Sequence, residues 1–201
     1  MTLLTVKTMP IFPCDRKALF DVYRAAWGSL TQSQVDGLDF LLSRMETDER
    51  LERPTWAAYM LATVQHECAA TWQPITERGG RAYFDKYEPS TPIGRRLGNT
   101  QPGDGYRYRG RGYVQITGAQ NYGRFGLKDD PEAALNPATA YEILSRGMTE
   151  GLFTGKKLGM YLTADRTDYR QARRIVNRLD RADLIAGYAR LFERGLKPVI
   201  V

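Results

Sequence analysis

The sequence predicts a mainly α-helical (α+β) domain: a helical bundle around a cleft, with a small central β-hairpin. Three observations support this fold class. The 201 residues have an ordinary globular composition, 42% hydrophobic and 26% charged, and no repeat or linker divides them, so residues 1–201 are expected to form a single domain. Hydrophobic residues recur at helical spacing towards both ends of the chain. Between these regions, residues 79–112 are rich in glycine, which favours loops and short strands.

Three helices are predicted in the N-terminal third. Asp15 is placed to cap the first, which is expected to end just before residue 28. Thr31 and Gln34 have the spacing of a capping box and open the second helix. A proline at the first position begins the third helix, which is predicted over residues 54–72.

Helices are predicted again after the loop. Asn136 and Pro137 supply an N-cap and a first-turn proline, and a further helix is expected over residues 168–178. Asp180 is placed to cap the last helix, with Gly195 at its C-terminal end. The residues of this last helix that are predicted to be buried are Leu184, Ile185, Tyr188, Leu191 and Phe192.

The glycine-rich loop is expected to be ordered and functional, because long loops inside compact domains are usually either functional or disordered and this one is rich in aromatic residues. The central hairpin is predicted here, with residues 113–116 paired to residues 106–108. We expect the cleft where the loop meets the helices. The aromatic residues of the loop are Tyr83, Phe84, Tyr87, Tyr106 and Tyr108.

Composition disfavours several classes of function. The two cysteines, Cys14 and Cys68, cannot form a disulfide framework. The single histidine, His66, lies two residues before Cys68 and points in a different direction on a helix, so a zinc amidase or a cysteine endopeptidase is disfavoured. No metal or other cofactor is expected. If the chain is an enzyme, its carboxylates are the expected catalysts.

The chain has a formal net charge of +6, which favours an anionic partner such as nucleic acid, a membrane surface or a cell-wall polymer. The same charge is equally explained by solubility. No hydrophobic run approaches the roughly 18 residues of a membrane span, and the first residues do not resemble a secretory signal. We therefore expect synthesis in the cytoplasm and no stable membrane insertion.

Glu67 is the first candidate for catalysis. Trp56, Met60, Val64 and Cys68 recur every four residues and form an apolar stripe. Glu67 lies only about 20° from Met60 on a helix with 100° per residue, so its carboxylate is expected to face the core or a cleft wall. Burial disfavours a charged carboxylate and raises its pKa, as a general acid requires. The helix by itself favours the alternative, a structural glutamate paired with one of the many arginines.

A second carboxylate can come from the loop that follows. Glu77 lies just before two glycines and can face Glu67 across a gap, giving two acids in unlike environments, as glycoside hydrolysis needs. Asp85 and Glu88 lie further along the loop and could take the same role. Each of these acids could instead be a solvated surface charge.

The segment from Tyr108 to Thr117 contains glycines that allow a ligand to approach the backbone closely. Gln115 and Thr117 would share one face of a short strand there, where amide and hydroxyl groups suit sugar hydroxyls or a held water. The arginines and tyrosines of the segment could alternatively stack on RNA bases.

These residues resemble glycoside hydrolase family 19, the family of chitinases and related bacteriophage endolysins. The resemblance runs in the order of the family's motifs over residues 65–72, 76–79, 97–105, 108–122 and 173–177. It implies a lysozyme-like fold, an inverting mechanism and no metal or cofactor.

The resemblance also implies roles for individual residues. Glu67 matches the general acid and Glu77 the general base of the phage members, while Glu88 remains possible because plant chitinases place the base further along the loop. Thr117 matches the residue that helps to hold the attacking water. The positions matched to substrate binding are Tyr108, Gln115, Asn121 and Asn177.

Two departures from the chitinase pattern favour the endolysin branch. Cys68–Ala70 replaces the usual Thr-Gly-Gly, and Arg178–Leu179 replaces a glycine pair. The expected function is hydrolysis of β-1,4 bonds in peptidoglycan strands by a monomer with no separate cell-wall-binding module and no nucleic-acid partner. It would be made in the host bacterial cytoplasm and act on the periplasmic cell wall after release. A chitinase of the same family and a non-enzymatic basic protein that binds glycan or nucleic acid are the alternatives.

Overall fold

The computed structural model describes residues 14–196, and helices make up most of this part of the chain. Two short strands pair antiparallel, so the predicted mainly α-helical fold with a small sheet is confirmed. The α-helices are α1 (Arg16–Trp27), α2 (Gln32–Glu46), α3 (Pro54–Glu67), α4 (Pro92–Arg96), α5 (Asp104–Arg107), α6 (Ala119–Arg124), α7 (Pro137–Glu150), α8 (Tyr169–Ala172) and α9 (Ala182–Gly195). The strands are β1 (Ile75–Thr76) and β2 (Arg111–Gly112), and 3-10 helices cover Arg81–Tyr87, Pro131–Leu135, Leu158–Met160 and Arg173–Ile175.

Helix α3 forms the centre of the core. It is buried without interruption from Trp56 to Gln65 and packs chiefly against α9 and also against α7, and α1 packs against α9 as well. A helix that is apolar on all sides is stable only inside a protein. Glu67 is the last residue of this helix, so the core fixes the position of the candidate acid.

The predicted helix starts are confirmed where a side chain caps its own helix. The Asp15 carboxylate accepts a hydrogen bond from the backbone amide of Ala18, and Thr31 and Gln34 form the reciprocal capping box. Asn136 caps α7 in the same way. These contacts span three residues or fewer, so they depend only on local sequence.

Helix α3 ends at Glu67 and does not continue to residue 72. Ala69, Ala70 and Trp72 follow with positive φ angles of 48°, 59° and 60°, which an α-helix does not contain. The turn places the Trp72 ring in a buried aromatic cluster, edge-on to Tyr23. Tertiary packing of this ring therefore overrides the local helical pattern.

The predicted helix over residues 168–178 is also shorter in the structure. Asp168 caps α8 as its start, but the chain changes to a 3-10 helix at Arg173. The last helix is not capped by Asp180: Arg181 precedes it with φ 56°, and no side chain caps it. Of the residues predicted to be buried there, Leu184 is exposed. The side chains of Tyr188 and Leu191 are half-buried.

The predicted hairpin pairing is wrong. Residues 104–107 form α5 and residues 113–115 form a turn, so neither predicted strand exists. Instead β2 pairs with β1, with Ile75 opposite Gly112 and Thr76 opposite Arg111. The turn is closed by a bridge between Arg111 and Ile116, which leaves the other edge of β2 free for β1. Within residues 14–196, no helix has the length and apolar character needed to cross a bilayer.

Candidate active site

Glu67 forms an ion pair at the C-terminal end of α3. Its Oε1 accepts a hydrogen bond from Arg173 Nη1 at 2.6 Å, and its side chain is 18% exposed. The Arg173 guanidinium is buried and is itself held by a hydrogen bond from its Nε to the backbone oxygen of Asp180. Glu67 Oε2 accepts no hydrogen bond from the described residues. Glu67 is therefore largely shielded from bulk solvent, as expected, and its pairing with an arginine is what the alternative of a structural glutamate also predicts.

Glu77 is held more firmly than Glu67. It follows β1, and its backbone amide donates to the Gly110 oxygen at 2.7 Å, which extends the pairing of the two strands. Its Oε1 accepts from the Tyr87 hydroxyl at 3.0 Å and lies 3.6 Å from Lys86 Nζ, while its Oε2 accepts from the Gly110 amide at 3.1 Å. Burial, followed by the Glu77 charge, raises the pKa of Tyr87, so its hydroxyl stays protonated as a donor.

Glu88, the other candidate for the second acid, is engaged with the backbone. Its Oε2 accepts from the Gly103 amide at 2.7 Å and its Oε1 from the Gly105 amide at 3.1 Å. It thereby fixes the start of α5. Asp85 is exposed. Of the three loop acids, only Glu77 is anchored beside the strand that leads to Gln115.

Gly110 allows Glu77 and Gln115 to approach each other. A Cβ atom at Gly110 would lie 3.0 Å from Gln115 Oε1 and 3.1 Å from Glu77 Oε2, which is tighter than ordinary contact. Gln115 has φ 52°, and its Nε2 donates to the backbone oxygens of Ile75 and Gly112. The structure therefore brings Gln115 beside Glu77, on a turn and not on the predicted strand.

The end of α3 contacts the same turn. Cys68, the residue after Glu67, places its Sγ 3.8 Å from the Gly112 oxygen and 3.5 Å from the Tyr113 oxygen. Burial raises the pKa of the Cys68 thiol, which keeps it protonated and makes it a poor nucleophile. Glu67 and Gln115 therefore lie on segments that pack directly against each other.

Thr117 and Asn121 form a local pair next to this turn. Thr117 is half-buried and donates from its Oγ1 to the Gln115 oxygen at 3.1 Å. Asn121, on α6, donates from its Nδ2 to the Thr117 oxygen and accepts from Arg124 Nη1 on its Oδ1. Both polar ends of Asn121 thus have protein partners, and its role in sugar binding stays a prediction.

The remaining two predicted binding residues lie apart. Tyr108 is buried, its ring packs against Tyr122, and its hydroxyl donates to the Lys128 oxygen at 3.2 Å, so it contributes mainly to the core. Asn177 is exposed and lines a cavity of about 300 Å³. The structure therefore does not place Tyr108 and Asn177 around a single pocket.

Three residues of the site were not assigned a role from the sequence. Arg173 binds Glu67, and Tyr87 and Lys86 contact Glu77. Arg173 is separated from Glu67 by 106 residues, so no local pattern could pair them. The only sequence signal was the excess of arginine and of loop aromatics. Among the described residues, no group of three His, Cys, Asp or Glu side chains is arranged to hold a metal ion.

Comparisons with known proteins give little further information. No protein-family model matches the sequence, and a comparison with curated proteins gives no match. Among solved structures, the chain is similar to the crystal structure of a mutant of chitinase C, with a TM-score of 0.42 and 16% sequence identity over 90% of this chain and 95% of that chain. This similarity is too low to assign a family, so any functional inference depends on the side chains of the site.

Proposed function

We propose that the protein is a glycoside hydrolase of the endolysin type, which cleaves β-1,4 bonds of peptidoglycan by an inverting acid–base mechanism. The observation that supports this most is the contrast between two carboxylates. Among residues 14–196, Glu67 accepts a hydrogen bond only on Oε1, from Arg173, whereas both oxygens of Glu77 accept, from Tyr87 and from the Gly110 amide just before β2. Glycosidases require two acids in such unlike environments.

Each acid then has a distinct task. Glu67, when protonated, donates its proton to the bridging sugar oxygen as the glycosidic bond breaks. Glu77, positioned by contacts with Tyr87, Lys86 and the Gly110 amide, takes a proton from a water molecule. That water attacks the anomeric carbon from the opposite face, which inverts its configuration. Thr117, next to Gln115, is the residue proposed to help hold this water.

Glu77 is proposed as the base in preference to Glu88. Both acids have their two oxygens engaged, but those of Glu88 accept from the backbone amides of Gly103 and Gly105 at the start of α5. Glu77 also lies beside Gln115. Gln115 belongs to the turn that packs against the end of α3.

Products from defined substrates test the proposed function. We expect the protein to release fragments from purified peptidoglycan, with new reducing ends detected by mass spectrometry, and the α-anomer to appear first in NMR spectra of the fresh products. Chitin oligomers are the control substrate. Cleavage of chitin oligomers without cleavage of peptidoglycan would favour the chitinase alternative, and no cleavage of either polymer would contradict the proposal.

Gly110→Ala is expected to lower activity at least tenfold, because the added Cβ pushes Glu77 and Gln115 apart. A tenfold loss corresponds to about 1.4 kcal/mol of transition-state stabilisation. Gly80→Ala is the matched control, since a Cβ there meets nothing within 4 Å. The measurement is the initial rate on peptidoglycan, with thermal unfolding of both variants recorded. Equal rates for the two variants would show that the Gly110 contact does not position the site.

A further inference from the structure

A positively charged cavity lies beside the candidate active site. It has a volume of about 300 Å³ and lies between the loop that follows α7 and the segment that follows α8. We call it the basic cavity. The residues that line it are Thr154, Lys156, Arg174, Val176, Asn177 and Arg178.

No carboxylate of residues 14–196 neutralises the three cations of the basic cavity, which are exposed to solvent. The lining contains three cations and no carboxylate. Within residues 14–196, none of the three forms an ion pair, although Arg173 and Arg170 nearby are paired with Glu67 and Asp183. Arg174 Nε donates only to the amide oxygen of Gln171. Like charges gathered in one depression repel one another and attract an anion.

Hydrogen bonds connect the basic cavity to the candidate active site. Asn121 binds the Thr117 oxygen, and Arg124 Nη1 donates both to Asn121 and to the Leu152 oxygen at 2.8 Å. Two residues further on, Thr154 Oγ1 donates to the backbone oxygens of Arg174 and Ile175. These contacts fix the cavity wall relative to the turn that carries Thr117.

We propose that the basic cavity binds carboxylates of the peptide that substitutes the sugar strand of peptidoglycan. This inference rests on the proposed function and adds to it a site for the non-sugar part of the substrate. Lys156, Arg174 and Arg178 supply charge-assisted hydrogen bonds to carboxylates, and Asn177 can bind an amide of the peptide. Chitin is neutral and offers no group that would use these cations, so the cavity distinguishes the two polymers.

The test compares two double variants. Lys156→Gln/Arg178→Gln removes two charges from the cavity. Arg190→Gln/Arg194→Gln removes two from the exposed face of α9, so the net charge changes equally. Both are made with Glu67→Gln to prevent turnover. Calorimetry measures the Kd of a disaccharide–tetrapeptide and of the same disaccharide without peptide.

We expect the cavity variant to bind the peptide-bearing ligand at least about tenfold more weakly than the control variant, because it loses charge-assisted hydrogen bonds to the carboxylates of the peptide. The ratio between the Kd of the disaccharide and the Kd of the disaccharide–tetrapeptide should also be smaller in the cavity variant. Equal Kd values for the two variants would overturn the inference. It would also be overturned if a short oligonucleotide displaced the peptide-bearing ligand and bound the cavity more tightly, because the cavity would then serve nucleic acid.

Failure of this inference and failure of the proposed function give different results. If the wild-type protein cleaves peptidoglycan but the two variants bind alike, only the basic cavity has been misassigned. If the charge-dependent binding is observed but peptidoglycan is not cleaved, the protein binds this polymer without hydrolysing it, and the proposed function is wrong.

Discussion

Glu67→Gln is expected to lower kcat on peptidoglycan by about 10²–10⁴-fold, the contribution typical of a positioned general acid. Glutamine keeps the shape of the side chain and an oxygen that can accept from Arg173 Nη1, but it has no proton to donate to the leaving sugar. The loss should therefore appear in kcat with little change in substrate affinity. The proton donation that glutamine cannot make occurs only in the transition state and not in the bound ground state.

The structure also supports a competing interpretation, in which Glu67 is only a structural partner of Arg173. Glu46→Gln is the control that separates the two. Glu46 is 19% exposed, close to the 18% of Glu67, and it also pairs with an arginine, Arg16, although Arg16 is 28% exposed and Arg173 only 2%. It lies at the end of α2, outside the candidate active site.

Glu67→Gln is expected to be the less stable of the two, because it removes the charged partner of the buried Arg173 guanidinium, whereas Arg16 is partly exposed and also pairs with Asp39. Activities are therefore compared at a temperature at which both variants are folded. Only Glu67→Gln should lose activity. If both variants keep the wild-type rate on peptidoglycan, Glu67 is a structural glutamate and the acid–base mechanism is wrong. Rates on permeabilised cells and on purified peptidoglycan give two independent measurements of this outcome.

Asp48→Asn is expected to give the largest loss of stability. The Asp48 side chain is only 4% exposed and accepts hydrogen bonds from the Tyr141 hydroxyl, the Ser145 hydroxyl and the guanidinium of Arg50. Arg50 also binds both oxygens of Glu142, so this cluster ties the loop after α2 to α7.

Breaking a buried pair from one side costs about 3–5 kcal/mol, and the lower end is expected here because Arg50 keeps Glu142 as a partner. Denaturant unfolding of both proteins measures the difference. Asp21→Asn is the control. Asp21 binds Lys17 and Arg24 on the surface of α1, where exposed ion pairs contribute little, so its loss should hardly change unfolding. Similar destabilisation of the two variants would mean that the Asp48 cluster has no special role.

The Asp48 cluster also predicts how stability depends on pH. Burial alone would raise the pKa of Asp48, but hydrogen bonds from Arg50, Ser145 and Tyr141 outweigh it and hold that pKa below its usual value. Hydrogen bonds from Arg50 likewise lower the pKa of Glu142. A lowered pKa stabilises the fold above the unfolded-state value, near 3.9 for aspartate, and this contribution is lost as pH falls through the folded-state value.

Wild-type stability should therefore decrease in acid below about pH 4, the ordinary range of carboxyl titration, and the decrease should be smaller in Asp48→Asn. Unfolding measured at a series of pH values between neutral and strongly acidic gives the two curves. Parallel curves would show that Asp48 binds protons alike in the folded and unfolded chains, in conflict with its hydrogen bonds.

Local contacts explain why several elements could be predicted from the sequence. Asp15 reaches the amide of Ala18, and Thr31 and Gln34 complete each other's hydrogen bonds. In each case the two partners are separated by three residues, so any chain with that sequence brings them together when the helix forms. The position of Glu67 is different, because α3 is buried on all sides from Trp56 to Gln65 and the spacing of its apolar residues does not select one buried face.

The pairing of distant segments depends on tertiary packing and could not be predicted from local sequence. On one side of β2, a bridge between Arg111 and Ile116 closes a tight turn. The other side is therefore the one that pairs with β1. Helix α3 ends early because burial of the Trp72 ring in an aromatic cluster stabilises the fold more than one further helical turn would. Neither outcome follows from periodicity, which describes only the faces of an element.

The sequence by itself determined the helical class and the capped starts of several helices, and it indicated Glu67, with Glu77 or Glu88, as candidate acids. Only the tertiary structure decided that Arg173 binds Glu67, that Glu77 is fixed by Tyr87 and Gly110, and that three cations with no ion pair to residues 14–196 share one cavity. The physical reason is the sequence separation of the residues in contact. A cap joins residues a few positions apart, whereas these contacts join segments whose meeting depends on how the whole core packs.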